Sequence, residues 1–420
     1  MWSAAEPDAG VAGLPLLPAD EYSLVTEGFN ATGRDREAAT LGRRFVERAS
    51  LTPDAPALLF EGATRSYGEL LERARRIAGG LAGAGVRAGD VVGVRLERGF
   101  GLYETIHAIA LLGAVYCPID PDLPPARVEA MLADAGVTHL VDDPDLLVGG
   151  EPYAGEVPGD VDAPAYLLFT SGSTGRPKGV VIGHRAIDNR LAWMQHHLRL
   201  TPGERVLHKT PISFDVSIWE LYWPLQVGAT VGIAPPGAHR DPRVLAELIV
   251  AEGVAVLHFV PSMLRAFLGD RPARERVAGG RLRGVVTSGE ALIPDLVAGS
   301  LKWFGVAPVN LYGPTEAAVD VAVWDCTAAD AADGHSVPIG RPIWNTTCFV
   351  LDAALQPVGV GSPASSGWAA SSWRGSTAAA PTSPRSVSSR PPSVGCTGPA
   401  TWPPGGRTVP CATWAAPTTR

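Results

Sequence analysis

Apolar residues fall along this chain in two rhythms. Short uninterrupted runs alternate with longer stretches where apolar positions recur every three or four residues. Ala57-Leu58-Leu59-Phe60 is a run of the first kind and predicts a buried strand. Tyr67, Leu70, Leu71, Ala74, Ile77 and Leu81 follow at helical spacing. Residues 91–96 predict a strand, 102–112 a largely buried helix, and 115–119 a strand that ends at Pro121. A helix is expected over 127–135 and an extended segment over 138–141. Alternation of this kind predicts an α/β fold of parallel sheets with helices on both faces. The turn-rich stretch 149–164 separates this first unit from a second, which opens with the apolar run 165–169 and continues in Val180-Val181-Ile182.

Composition adds limits. A chain of 420 residues suggests two or three domains, and 46% hydrophobic content can bury a large core. No long uncharged apolar run is present, which argues against a membrane span. A net charge of −8 leaves no basic footprint for nucleic acid. The start, Met1-Trp2-Ser3-Ala4-Ala5-Glu6, has neither the positive charge nor the apolar core of a secretory signal. Cys117, Cys326, Cys348, Cys396 and Cys411 are scattered, which fits reduced thiols and a cytoplasmic protein.

The last stretch, residues 362–420, differs from the rest. It has no Asp, Glu, Lys, Leu, Ile, Phe or Tyr, and its only charges are five arginines. Such a composition cannot build a core and predicts a disordered tail. Four of the eleven tryptophans lie in it, which is unusual for a linker.

The candidate chemistry sits where the second unit opens. Between Phe169 and Val180 the chain reads Thr170-Ser171-Gly172-Ser173-Thr174-Gly175-Arg176-Pro177-Lys178-Gly179. Glycines let backbone N–H groups approach a phosphate, Ser and Thr add hydroxyl donors, and Lys178 adds a point charge. Gly179 follows the Lys and a strand follows the loop, so this is not the GxxxxGK[ST] phosphate loop.

This stretch resembles the phosphate-binding signature of the adenylate-forming enzymes, and further motifs between Leu14 and Gly361 agree. Ser66-Tyr67-Gly68-Glu69-Leu70 and Leu112-Gly113-Ala114-Val115-Tyr116-Cys117-Pro118 resemble the first two core motifs of nonribosomal peptide synthetase adenylation domains. Phe214-Asp215-Val216-Ser217-Ile218-Trp219-Glu220 resembles the fourth, and Asn310-Leu311-Tyr312-Gly313-Pro314-Thr315-Glu316 the fifth. The resemblance implies a large N-terminal region of two β/α subdomains plus a β-barrel, here incomplete, followed by a small C-terminal domain that this chain lacks as translated. It also implies the reaction: a carboxylate and ATP give an acyl-adenylate, and the acyl group then passes to a phosphopantetheine thiol on a carrier domain.

The site residues follow from the same resemblance. Thr170, Ser171, Gly172, Ser173, Thr174, Gly175 and Lys178 would hold the ATP phosphates, with Thr315 near the α-phosphate. Gly289, Asn310, Tyr312 and Gly313 would border the adenine. Thr174, Lys178, Thr315 and Glu316 form the expected catalytic set, and Glu316 the Mg²⁺ ligand. Asp215 would anchor the α-ammonium of an amino acid, although an Asp here also suits the cap of the helix that follows. Val216, Trp219, His258, Val286, Ser288, Leu311, Val319 and Asp320 would complete a pocket resembling that of serine-selecting domains. Trp219 shortens such a cavity, while His258, Ser288 and Asp320 offer hydrogen bonds that alanine would leave unmade.

Domain boundaries are expected at 1–40, 41–361 and 362–420. Residues 1–40 resemble the connector after a condensation domain, through Leu14-Pro15-Leu16-Leu17-Pro18 and Phe29-Asn30-Ala31-Thr32. Residues 41–361 form the N-terminal core. Sliding GC-rich codons for Leu-Tyr-Arg-Thr-Gly-Asp-Leu-Ala by one base yields Gly-Cys-Thr-Gly-Pro-Ala-Thr-Trp, the sequence of residues 395–402. The tail therefore reads as the product of a frameshift. It lacks the ribose-binding Asp and the catalytic Lys that the resemblance places there.

Overall fold

Ser66 starts the first long helix with a reciprocal cap. Its Oγ accepts from the Glu69 backbone N–H at 3.1 Å, while the Glu69 carboxylate accepts from the Ser66 N–H at 2.8 Å. Helix Tyr67–Gly83 follows and buries Tyr67, Leu70, Leu71, Ala74, Ile77 and Leu81, the residues its spacing singles out. The computed structural model describes residues 17–170, 177–332, 337–352, 356–361 and the backbone of 368–372. Among these, strand Pro56–Phe60, helix Phe100–Leu112, strand Val115–Pro118 and helix Pro125–Ala135 lie where the pattern predicts them.

Two large sheets carry the fold. In the larger, the spatial order is Arg341–Pro342, Ala322–Asp325, Pro308–Tyr312, Gly284–Thr287, Val256–Phe259, Arg205–His208, Thr230–Ile233, Pro56–Phe60, Ala63–Ser66. The middle six strands run parallel and the edges antiparallel. The second sheet orders His139–Val141, Val91–Val94, Val115–Pro118, Pro164–Thr170 and Lys178–Gly183, with only the last antiparallel. Mixed sheets replace the all-parallel expectation because short hairpins fold back at the edges. Glu61 and Gly62, at φ +48° and +81°, make the two-residue turn at one of them. Helix Phe100–Leu112 is buried nearly all round, against helices Leu41–Leu51 and Tyr67–Gly83.

A separate pair of strands, Thr346–Val350 and Trp368–Ser372, runs antiparallel. Its second member lies inside the stretch whose composition predicts no structure. Backbone groups pair without regard to side chains, so an open strand edge can accept even this sequence. The rest of 362–420 lies outside the described residues. The other side of Thr346–Val350 meets the expected connector. Asn30 Nδ2 donates to the Cys348 carbonyl at 3.1 Å and Asn30 Oδ1 accepts from the Cys348 N–H at 2.7 Å. Thr32 Oγ1 donates to the Thr346 carbonyl at 2.7 Å. Residues 17–40 are thus docked along the strand, with helical turns Ala19–Ser23 and Leu24–Gly28 at their start. No described helix is long and apolar enough to cross a membrane.

Candidate active site

The order of the larger sheet creates the site. From strand Arg205–His208 the chain steps outward to Thr230–Ile233, then returns to place Val256–Phe259 on the opposite side. Strands Arg205–His208 and Val256–Phe259 share only the pair Val206–Val256. Open α/β sheets take ligands beyond the carboxyl ends of strands where the order reverses in this way. Beyond those ends here lie the turn to Asp215, the Ser288-Gly289 turn, and the loop from Gly313 to Asp320.

Asp215 is presented by a tight, pinned turn. Buried Glu220 accepts from the Thr210 N–H at 3.0 Å and from Thr210 Oγ1 at 2.8 Å, tying the helix that follows back to the strand end. Helix Ser217–Val227 starts after Val216, and no side chain caps it. The Asp215 carboxylate instead accepts from Thr315 Oγ1 at 2.7 Å, joining the fourth and fifth motifs across the crevice. Burial pushes the Asp215 carboxyl up to about 6; the Thr315 bond opposes that rise and the Asp320 charge adds to it.

Around Asp215 stand the other pocket positions. His258 Nε2 and Ser288 Oγ are 2.9 Å apart, and burial holds the imidazole neutral. The Trp219 ring meets His258 edge-on, with centroids 6.2 Å apart. Val216, Val286, Leu311 and Val319 are buried beside them. Asp320 is engaged through one of its two carboxylate oxygens. It forms an ion pair with Arg190, both side chains at least 98% buried. Ala318 and Val319 lie in the left-handed region at φ +64° and +80°. For a β-branched residue this conformation is strained, by roughly 1–3 kcal/mol. Gly313 allows it: a Cβ there would stand 2.5 Å from Asp320 Cα and 2.5 Å from the Val319 carbonyl oxygen.

The residues expected on the nucleotide side come from both sheets. Thr170 and Lys178 face each other across the antiparallel pair Pro164–Thr170 and Lys178–Gly183, and Lys178 is exposed. Ser171, Gly172, Ser173, Thr174 and Gly175, in the loop between them, lie outside the described residues. Gly289 is exposed at φ +86° and Tyr312 is half-buried at the end of its strand. Asn310 is already engaged, since its Nδ2 donates to the Pro338 carbonyl at 2.9 Å. Glu316 is exposed in the short turn Thr315–Ala317, and its charge reaches Asp215.

Residues 45–367 match the AMP-binding enzyme family. The chain belongs to that family. Among curated relatives of this AMP-binding enzyme, enterobactin synthase component F of Escherichia coli O157:H7 is 42% identical over 375 residues. That match covers 84% of this chain but 29% of the relative, so the chain spans less than a third of that protein's length. Among solved structures, the nonribosomal peptide synthetase FmoA3 in its AMPPNP-bound form aligns with a TM-score of 0.78 and 31% identity, over 89% of this chain and 42% of that one. FmoA3 has also been solved in an alpha-methyl-L-serine-AMP bound form, with the same TM-score and identity over 88% of this chain and 44% of that one. The N-terminal subdomain of Klebsiella oxytoca NpsA, in complex with 3-hydroxybenzoyl-AMSN, aligns with a TM-score of 0.70 and 29% identity over 77% of this chain and 85% of that subdomain.

Three groups at the site of this AMP-binding enzyme escape a motif-based reading. Arg190 sits in helix His184–Leu198, outside every motif. Tyr166 is fully buried within reach of the charges of Asp215, Arg190 and Asp320. Lys209 is buried with its Nζ 5.3 Å from the Phe259 ring centre. Buried charges near a family motif were the one available signal, and burial is invisible until the fold is known. Among the described residues no three His, Cys, Asp or Glu side chains gather as a metal cluster. A single exposed carboxylate, Glu316, fits Mg²⁺ held mainly by substrate phosphate oxygens.

Proposed function

We propose that this AMP-binding enzyme is the N-terminal part of a nonribosomal peptide synthetase adenylation domain, an ATP-dependent ligase for an amino acid, with serine as its substrate. A carboxylate oxygen of the amino acid attacks the α-phosphorus of ATP. The bond from that phosphorus to the bridging oxygen breaks, and pyrophosphate leaves with the electron pair. Charge grows on phosphate oxygens, so the protein's contribution is positioning and electrostatic stabilisation. Lys178 and the hydroxyls of the loop hold the outer phosphates, Thr315 stands near the α-phosphate, and Tyr312 lies against adenine. Mg²⁺, with Glu316, supplies charge neutralisation on the phosphates. The phosphopantetheine thiol of a partner carrier domain then loses its proton and attacks the acyl carbon, the bond to the phosphate oxygen breaks, and AMP leaves.

The observation that carries this reading is Asp215. A partly buried carboxylate whose hydrogen-bond donors among the described residues are neutral calls for a cation in the crevice, and an α-ammonium supplies one. The same feature disfavours an acyl-CoA ligase for an uncharged acid. For serine, the support is the buried polar side chains of His258, Ser288 and Asp320, together with the alpha-methyl-L-serine-AMP bound form of FmoA3. We read residues 1–40 as a connector, 41–361 as the catalytic core and 362–420 as a frameshift product. A second reading, nucleotide binding without turnover, is favoured by the lack of any Asp or Lys in 362–420.

Amino-acid-dependent pyrophosphate exchange tests both readings. With the reading frame restored, exchange should be fastest with serine, and Asp215→Ala should abolish it for every α-amino acid. Preference for a bulky aromatic or acidic amino acid would refute the pocket assignment. Exchange by the 420-residue chain itself would refute the second reading.

A further inference from the structure

Arg190 belongs to none of the motifs, yet the polar end of the pocket is built against it. The side chain is 99% buried in helix His184–Leu198. Its Nε and Nη2 both donate to Asp320 Oδ2, at 3.1 and 2.5 Å. Asp320 Oδ1 takes no part in that pair. Among the described residues Arg190 Nη1 has no partner, and the same holds for Tyr166 Oη, Trp219 Nε1 and His258 Nδ1. The charge of Arg190 reaches His258 and Tyr166, and that of Asp320 reaches Asp215 and Tyr166. Several buried polar atoms without partners therefore surround one ion pair. Native interiors rarely leave such groups unmatched, and this cluster fits a small polar guest better than an apolar one.

The geometry points to Arg190 as a positioning residue for substrate selection: it pins Asp320 Oδ2 from two nitrogens, leaving Oδ1 as a fixed acceptor for a side-chain hydroxyl on the amino acid. This rests on the amino-acid reading of the site. A buried carboxylate without a cation takes up a proton and can then donate as well as accept. Pinning Oδ2 through Arg190 fixes where Oδ1 can accept. A hydroxyl guest satisfies it, and a methyl guest leaves it unpaired.

The test is calorimetry on the 420-residue chain with hydrolysis-resistant seryl- and alanyl-sulfamoyladenosine as probes. The unaltered chain should bind the seryl compound roughly 10–100-fold more tightly, as expected for a hydrogen bond to a charged group. Arg190→Met combined with Asp320→Asn removes both charges together and strands neither. That chain should lose the seryl preference, its affinities for the two compounds falling together. Arg190→Lys keeps the charge without the two-pronged geometry, and should show an intermediate ratio of seryl to alanyl affinity. If the doubly changed chain discriminates as before, the pair serves packing alone and the inference falls. Should that chain fail to fold, an undiminished preference in Arg190→Lys overturns the inference equally. Equal binding of both probes by the unaltered chain would sink the serine reading and the Arg190 role with it, while preference for serine that survives every Arg190 change sinks only the latter.

Discussion

At the scale of single residues, Asp215 yields a prediction with a definite sign. Burial raises its carboxyl from 3.8 to about 6, so the folded protein holds this proton to higher pH than the unfolded chain does. Ionising Asp215 therefore costs stability as pH rises from about 4 through 6. An ammonium guest favours the ionised form, so amino-acid affinity should rise with pH through about 6. Binding measured between pH 5 and 8 should show that slope, and Asp215→Asn should flatten it at weak affinity. A flat profile in the unaltered chain would remove Asp215 from the ammonium site. Gly313 carries a second prediction. A methyl group there meets backbone atoms at 2.5 Å, which cannot swing aside as a flexible side chain can. Gly313→Ala should cost about 1–3 kcal/mol in a denaturation series and weaken amino-acid binding, because the displaced backbone carries Val319 and Asp320.

At the scale of elements, the hairpin of Pro164–Thr170 and Lys178–Gly183 sets Thr170 and Lys178 opposite one another at its loop end. Lys178→Ala should weaken ATP binding by roughly tenfold or more, the loss of one charge-assisted contact. Unchanged affinity in a titration would move the phosphate site away from this loop. The docked connector offers an independent check. Asn30 exchanges two hydrogen bonds with Cys348, so Asn30→Ala should destabilise the fold by about 1–3 kcal/mol, the cost of unpairing partly buried backbone groups. Thermal melting of the two proteins measures it, and equal midpoints would mean the connector adds nothing to stability. The apolar stripe of helix Tyr67–Gly83 was legible because its spacing is local, whereas the Ser66 cap was read only from the structure. The docking of residues 17–40 was not, because Asn30 and Thr32 find their partners more than 300 positions away.

At the scale of the whole molecule, composition separates a core of ordinary protein from residues 362–420. The resemblance puts a ribose-binding Asp and a catalytic Lys in the latter, and neither residue type occurs there. The chain should therefore bind ATP weakly and show no serine-dependent pyrophosphate exchange above background. Deleting or adding one or two bases near the codons of residues 359–362 should uncover a Tyr-Arg-Thr-Gly-Asp motif and bring exchange back. Sequencing the gene across those codons, followed by the exchange assay, checks both halves. Sub-micromolar ATP affinity in the chain as it stands would contradict the first.

The sequence alone determined what depends on neighbours along the chain: the alternation of strand and helix, the apolar stripe of helix Tyr67–Gly83, the two strands flanking the glycine-rich loop, and the motifs that carry Asp215, Thr315 and Glu316. Hydrophobic periodicity and turn chemistry act over a few residues, so they can be read in a line. The tertiary structure alone decided that the sheets are mixed and that the strand order reverses beside Arg205–His208 to open a crevice. It brought Thr315 onto Asp215 across 100 positions and buried Arg190 against Asp320 across 130. Charge pairs of that kind depend on which groups lose their water together, and that is fixed by packing between distant elements rather than by any local pattern.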